Sequence, residues 1–444
     1  MYIQRKADAE LAEWRSEKKH KPLLIRGARQ VGKTKTIREF GKKFDNFIEI
    51  NFEESPRLKE LFAGELSPVS ICENISAIFK TSVIPGKTLI FLDEIQECHE
   101  AIAALRFFYE KMPELHIIAA GSLIEFALSE IPTFGVGRIR SMFMYPLSFS
   151  EFLEGAGEHQ LLEKIREANP GKPMNEALHE KLLTLIQKFI CLGGMPEIIA
   201  EYLETRDLNK CQKLLDDLII SVQVDFSKYK NKVPVSRLNE VFQSVVNQAG
   251  QKFVYSKACA QANHNQVKDA LQMLIMSGLV IPVTHSSANG IPLGAGANPQ
   301  RQKMLVYDTG IFQRIMGLDL ADFLLSKNFA AINKGNLAEQ FAGLELIKSE
   351  SCYQIPALYY WHREAKNSNA EVDYVITISQ EIIPVEIKAG LKGAMQSMFL
   401  FMKEKKIKHG IRISNENFSY YNGIEVYPLY AVENIKTKKN WQRE

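Results

Sequence analysis

A chain of 444 residues is longer than one hydrophobic core supports, so several domains are expected. With 46% hydrophobic and 24% charged residues the composition is that of a globular protein, which excludes a disordered or fibrous chain, and no run approaches the roughly 18 apolar residues of a membrane span. The net charge of +3 is uneven: between Phe226 and Lys303 nine basic residues meet only Glu240 and Asp269, giving +7 there and −4 for the rest of the chain.

Such a basic segment reads either as a nucleic-acid footprint or as a solvated face. The six cysteines, with no CxxC pair, read as small core hydrophobes in a reducing compartment, without zinc or structural disulfides. The opening residues lead into a charged helix rather than a signal peptide, so a cytoplasmic location is expected.

In chain order, a helix within residues 1–20 places Leu11 and Trp14 on one side. An apolar run over residues 22–26 predicts a strand. Gly27-Ala28-Arg29-Gln30-Val31-Gly32-Lys33-Thr34 follows, and an amphipathic run opens at Lys35. Strand, glycine loop and helix N-terminus are the context of a P-loop, in which Gly27 and Gly32 let the backbone wrap phosphates. All eight residues are therefore expected to bind nucleotide, with Lys33 reaching the β- and γ-phosphates and Thr34 holding Mg2+. Residues 47–52 alternate as a second strand, and residues 56–82 read as helical.

The run Lys87-Thr88-Leu89-Ile90-Phe91-Leu92-Asp93-Glu94 is continuously apolar until its two acids, the pattern of a buried parallel strand with a site at its C-terminal end. Asp93 is expected to hold Mg2+ and Glu94 to polarise the water that attacks the γ-phosphate. Residues 116–122 form another buried strand, and Ser122 at its end is suited to sensing the γ-phosphate or to capping the next helix. Gly137-Arg138 precedes a last core strand over residues 142–145. Arg138 is suited to act as a finger on a neighbouring subunit's nucleotide, which implies a homo-oligomer. Arg140 competes for that role, and an ordinary surface arginine reads equally well.

Strands alternating with helices through residue 146 predict a parallel α/β sheet. From Pro146 to about Val224 the pattern is helical, broken at Leu192-Gly193-Gly194-Met195-Pro196, and would form a lid over the nucleotide. Residues 226–320 read as three helices and two paired strands, 279–283 and 303–307: a winged helix. Its helix with Asn263, His264, Asn265, Gln266 and Lys268 near the start is of the kind that enters a DNA major groove.

The C-terminal part shows a helix carrying Glu339, a strand at 358–362, and a hairpin of 371–376 with 382–388. A helix at 391–406 follows. Strand alternation places Glu386 and Lys388 on one face, with Asp373 on the neighbouring strand. Asp373 and Glu386 can hold a divalent cation, Glu339 would complete the metal environment, and Lys388 can orient water and stabilise charge at phosphorus. A salt-bridged sheet edge is the alternative.

These motifs, with Leu92-Asp93-Glu94-Ile95-Gln96, Tyr145-Pro146-Leu147-Ser148-Phe149, Gly193-Gly194-Met195-Pro196-Glu197, Tyr307-Asp308-Thr309-Gly310 and Val385-Glu386-Ile387-Lys388, make the chain resemble a prokaryotic family. Its members are AAA-superfamily ATP-binding proteins with a C-terminal domain of unknown function that has a restriction-endonuclease-like core. The resemblance spans nearly the whole chain. It implies an α/β architecture: an AAA+-like P-loop core (1–149), a helical lid (150–225), a winged helix (226–320) and a PD-(D/E)XK nuclease-like domain (321–444). It also implies an oligomeric ATPase, with Glu339, Asp373, Glu386 and Lys388 as nuclease residues. Two positions depart from the pattern. Val372 stands where a proline usually precedes the metal-binding Asp, and Leu123 follows Ser122 where a polar residue is expected.

The expected function is a Mg2+-dependent ATPase that drives or regulates a nucleic-acid transaction, with DNA cleavage by the C-terminal domain using Mg2+ or Mn2+. The alternative is an ATP-switched scaffold that binds DNA or protein and does not cut.

Overall fold

The computed structural model describes residues 1–121, 124–130, 137–229, 232–320, 334–364, 369–388 and 395–437. Two sheets organise the chain. The first contains β1 (Leu23–Arg26), β2 (Asn46–Asn51), β3 (Thr88–Asp93), β4 (His116–Ala120) and β5 (Arg140–Phe143). Their order is β2-β3-β4-β1-β5, and every neighbouring pair is parallel. All residues of β3 and β4 are buried, as a sheet covered on both faces requires. Alternate residues supply two cores. Leu23, Ile25, Leu89, Phe91 and Ile118 pack on one face with Leu11 and Trp14 of the helix Lys6–Ser16. Leu24, Ile48, Ile90, Leu92 and Ile117 pack on the other. Because the strands are parallel, the C-terminal ends of β1, β3 and β4 meet at one edge, which is where a ligand binds in such a sheet.

The helical stretch after β5 consists of Phe149–Gly155, His159–Glu167, Glu176–Leu192, Pro196–Thr205 and Leu208–Asp225. Ser148 and Glu151 cap the first of these reciprocally. The helices Val235–Asn247 and His264–Met276 follow, and then β6 (Val280–Ser286) and β7 (Ala297–Val306), an antiparallel hairpin as the sequence suggests.

The hairpin does not stand alone. β6 also pairs in parallel with β8 (Leu358–His362), and the sheet continues through β9 (Glu371–Ile378), β10 (Glu381–Lys388), β11 (Gly410–Ser414), β12 (Ser419–Tyr421) and β13 (Ile424–Pro428). The order is β12-β13-β11-β10-β9-β8-β6-β7. The two strands expected as a wing are thus the edge of an eight-stranded sheet that runs across the expected division at residue 320. A lone hairpin would leave the backbone groups of β6 unpaired on one side, and β8 satisfies them.

The motifs at residues 145–149, 193–194 and 307–310 meet in one buried polar junction. Asp308 accepts hydrogen bonds from the Gly194 N–H (2.6 Å) and the Ile311 N–H (3.0 Å). Leu147 N–H donates to Gly194 O at 2.7 Å. Glu345, on the helix Lys334–Lys348, accepts from the Phe149 N–H (3.1 Å) and from Lys348 (3.1 Å), and Lys348 also donates to Leu147 O (2.9 Å). A buried carboxylate survives desolvation when its lone pairs are filled in this way.

Candidate functional site

The P-loop joins β1 to the helix Lys33–Gly41. Gly27 has φ 145°, and a Cβ there would fall 2.1 Å from Met144 O, so this position admits no side chain. Gly32 (φ 97°) and Gln30 (φ 63°) are the other left-handed residues of the loop. Arg5, which sequence reasoning passed over, is buried at the wall of the nucleotide cleft and braces the loop. It donates to Val31 O (2.8 Å) and Tyr145 O (2.7 Å) and pairs with Glu151 (3.1 Å). Arg29 is paired with Asp225 at the end of the helix Leu208–Asp225 and lies 3.7 Å from Glu53.

Lys33 Nζ donates to Gly27 O (2.9 Å) and Ala28 O (2.8 Å), and burial pulls its pKa down to about 8. Thr34 Oγ1 donates to Asp93 Oδ2 at 2.9 Å. Burial pushes the Asp93 carboxyl up to about 6. Hydroxyl and carboxylate therefore converge at the phosphate end of the loop, a donor set that fits Mg2+. A cleft of about 660 Å3 opens here, lined by Arg29, Lys33, Thr34, Asp93 and Glu94 on the sheet side. Pro196, Glu197, Ala200, Glu201 and Glu204 of the helix Pro196–Thr205 line the other wall.

Glu94 follows β3 in a left-handed conformation (φ 48°), with its N–H bonded to Asp93 Oδ1 at 3.1 Å. Its Oε2 accepts from Gln96 Nε2 at 2.6 Å. A backbone of this kind is strained in a residue with a side chain, and it aims the carboxylate. In the sequence Gln96 stands only as the last residue of the motif Leu92-Asp93-Glu94-Ile95-Gln96; its distance of two residues from Glu94 is the available signal.

Ser122 lies outside the described residues. Arg138 is paired with Glu110 on the helix His99–Lys111. It precedes β5, whose start at Arg140 lies opposite Leu23 at the start of β1. Arg138 thus stands at the edge of the sheet away from the P-loop of its own chain.

The C-terminal residues gather around β9 and β10. Tyr359 pairs with Val375 and Trp361 with Val372, so one residue of β8, Tyr360, faces two of β9, a bulge formed by Asp373 and Tyr374. Tyr374 Oη donates to Glu339 O (2.8 Å), and Asp373 Oδ2 accepts the Ile387 N–H (2.8 Å). Lys388 Nζ lies 2.6 Å from Glu386 Oε1, whereas Glu386 Oε2 is buried with no hydrogen-bond partner among the described residues. Burial and the nearby Asp373 push the Glu386 carboxyl up; burial pulls Lys388 down, but Glu386 and Asp373 outweigh it and hold its charge.

Glu339, expected beside the metal, is engaged elsewhere. Lys303 Nζ lies 2.9 Å from Glu339 Oε1, is paired with Glu371 as well, and sits 5.3 Å from the centre of the Tyr360 ring. Burial pulls Lys303 down, yet Glu339, Asp373 and Glu371 outweigh it and keep it protonated. Burial pushes Glu339 up and Lys303 offsets this only in part, since it serves two carboxylates. The sequence signal for Lys303 was weak: a lysine opening the apolar run Met304-Leu305-Val306 reads as a solvated strand end. Among the described residues, no three His, Cys, Asp or Glu side chains converge as a metal cluster. Among them, too, no helix is long and apolar enough to cross a membrane.

Of the +7 segment, Lys228 pairs with Glu53 (3.1 Å), Arg301 with Glu364 (3.2 Å), and Lys303 is buried. The basic surface is smaller than the charge count implies. Lys252, Lys257 and Lys268 are exposed.

Residues 19–153 match the family described as AAA domain. Residues 183–322 and 334–432 match two domains of unknown function, DUF8612 and DUF4143. A search of the curated proteins finds no match. Among solved structures, a Walker-type ATPase of Pyrococcus abyssi is similar at 15% identity, with 71% of this chain and 96% of that chain covered and a TM-score of 0.46. The Orc1 protein of Aeropyrum pernix in complex with DNA is similar at 13% identity, with 73% and 95% covered and a TM-score of 0.29. Both are too distant to bear on function. The domain match and the convergence of Lys33, Thr34, Asp93 and Glu94 on one edge of a parallel sheet place an AAA-type P-loop ATPase domain at residues 19–153.

Proposed function

We propose that ATP turnover at this cleft regulates a metal-dependent cleavage of DNA at the Asp373–Glu386–Lys388 site. The observation that carries the reading is Glu386 Oε2, a buried carboxylate oxygen without a hydrogen-bond donor among the described residues, next to a lysine held at 2.6 Å from its partner oxygen. An acceptor left bare in a buried site is costly unless a ligand satisfies it, and two carboxylates are a common share of a Mg2+ or Mn2+ shell. Such a cation would polarise the phosphodiester and make a bound water more acidic. Lys388 places a positive charge where negative charge develops at phosphorus, and Asp373 and Glu386 hold the cation beside it.

In this reading residues 1–149 are the ATPase core, 150–225 the lid, and the helices within residues 226–276 face DNA, while the hairpin of β6 and β7 that follows them is part of the sheet that residues 321–444 complete as the nuclease-like domain. Subunits assemble so that Arg138 reaches a neighbour's nucleotide and Ser122 senses the γ-phosphate. Glu94 polarises the attacking water, and Thr34 and Asp93 hold Mg2+. At the helix His264–Met276, Asn263 and Gln266 cap each other, so His264, Asn265 and Lys268 remain to face DNA.

The test is cleavage of single- and double-stranded DNA and RNA with Mg2+ or Mn2+, by wild type and by Lys388→Ala. Wild-type cleavage that the substitution removes is expected; no cleavage of any form sinks the nuclease reading. The ion pairs that engage Lys228, Arg301 and Lys303 favour a second reading, an ATP-switched scaffold. Salt-dependent DNA binding without cleavage would support it.

A further inference from the structure

Among the described residues between Phe226 and Lys303, Lys228, Arg301 and Lys303 are engaged in ion pairs, and of these Lys303 is fully buried, with 1% of its surface exposed. A lysine is withdrawn from water to this degree only when its charge is matched. Its Nζ lies 2.9 Å from Glu339 Oε1 and is paired with Glu371, and the Tyr360 ring centre lies 5.3 Å away. Two carboxylates and a ring face thus surround its three N–H bonds.

Lys303 and the neighbouring pair belong to one cluster, because Asp373 accepts the N–H of Ile387, between Glu386 and Lys388, while the adjacent Tyr374 donates to the backbone of Glu339, whose carboxylate holds Lys303. With every group ionised, four carboxylates (Glu339, Glu371, Asp373, Glu386) and two lysines (Lys303, Lys388) sum to −2. One divalent cation neutralises it. A second one at Glu339 would meet an ammonium already held at 2.9 Å from the oxygen it needs. On the other side Glu386 Oε2 has no partner among the described residues, and Asp373 commits one oxygen to the Ile387 N–H.

We propose that Lys303 is a tethered cation occupying the place of a metal ion in front of Glu339, so that the site takes a single divalent cation on Asp373 and Glu386. Glu339 is then a positioning residue that holds Lys303, not a metal ligand. This rests on the metal-site reading of Asp373 and Glu386 above.

The experiment is a Mn2+ titration of the nucleotide-free full-length protein, followed by electron paramagnetic resonance of free Mn2+. Glu386→Gln is expected to weaken one Mn2+ site by at least about tenfold, the scale on which metal sites respond to altered ligands and their partners. The difference from wild type isolates this site from binding at Thr34 and Asp93. Glu339→Gln is expected to leave that affinity within about threefold, because a neutral amide still accepts from Lys303. Lys303→Met is expected to admit one additional Mn2+, and Lys303→Met combined with Glu339→Gln to return the count to wild type. Equal loss in Glu339→Gln and Glu386→Gln overturns the proposal while leaving the metal reading intact. So does an unchanged count in folded Lys303→Met. No effect of Glu386→Gln removes the metal reading and the proposal with it. Should Lys303→Met not fold, the Glu339→Gln and Glu386→Gln pair decides.

Discussion

Gln96 Nε2 donates to Glu94 Oε2 at 2.6 Å, and behind the same amide a Cβ on Gly121 would fall 2.0 Å from Gln96 Oε1. The carboxylate at the end of β3 is thus aimed by a side chain that needs the bare backbone at the end of β4. Gln96→Ala and Gly121→Ala are expected to lower ATP turnover by about 10–100-fold, and Glu94→Gln by about 100–10,000-fold, the range for losing a positioned base. ATP affinity stays within about threefold in all three, because nucleotide is gripped by the P-loop. Phosphate release and a nucleotide-binding titration measure both. A wild-type rate in Glu94→Gln would remove Glu94 from the role of base.

Lys33 is buried, and its pKa is pulled down to about 8. Its only hydrogen-bond partners among the described residues are the carbonyls of Gly27 and Ala28. Bound phosphate favours the charged form, so ATP binding takes up a proton once the pH exceeds that value. ATP affinity is expected to be flat below pH 8 and to fall by up to about tenfold per pH unit above it. Lys33→Ala should abolish binding. Isothermal titration in buffers of different ionisation heat detects the proton; equal heats at pH 9 would contradict the prediction.

Asp93 is 4% exposed, and burial pushes its carboxyl up to about 6. Between the ordinary carboxylate range and pH 6 the folded state binds the additional proton, so stability falls as pH rises through that window. Asp93→Asn is therefore expected to stabilise the nucleotide-free protein at pH 7 by roughly 1–2 kcal/mol while removing Mg2+-dependent turnover. The gain should vanish below about pH 4. Thermal unfolding at pH 4 and pH 7 checks it.

Asp308 accepts two backbone N–H groups, from Gly194 and Ile311, and is 1% exposed. Asp308→Ala strands both donors and is expected to destabilise by roughly 2–5 kcal/mol. Gly194 belongs to the turn before the helix that walls the nucleotide cleft, so ATP affinity should fall as well. Denaturant unfolding and nucleotide binding report the two effects. A change below about 0.5 kcal/mol, the size of a surface substitution, would show that the junction does not hold the turn.

The first sheet was legible because its chemistry is local. Gly27 to Thr34 needs one strand, one loop and one helix turn, and the uninterrupted apolar runs before Asp93 and Ser122 mark buried parallel strands. Glu386 and Lys388 were legible for a similar reason, since strand alternation sets them side by side. Strict alternation does not place Asp373 and Tyr374 together; the bulge in β9 does, and a bulge leaves no mark in the hydrophobic pattern.

What the sequence determined alone was the P-loop, its acids, the parallel order of strand and helix, and the hairpin of β9 with β10, all set by neighbours a few residues apart. Tertiary structure decided that β6 joins β8 across the expected boundary, that Asp308 holds Gly194, and that Lys303 lies against Glu339. Partners 36 to 114 residues apart are brought together by packing and desolvation, which reward a matched charge or a filled lone pair wherever the chain can deliver one.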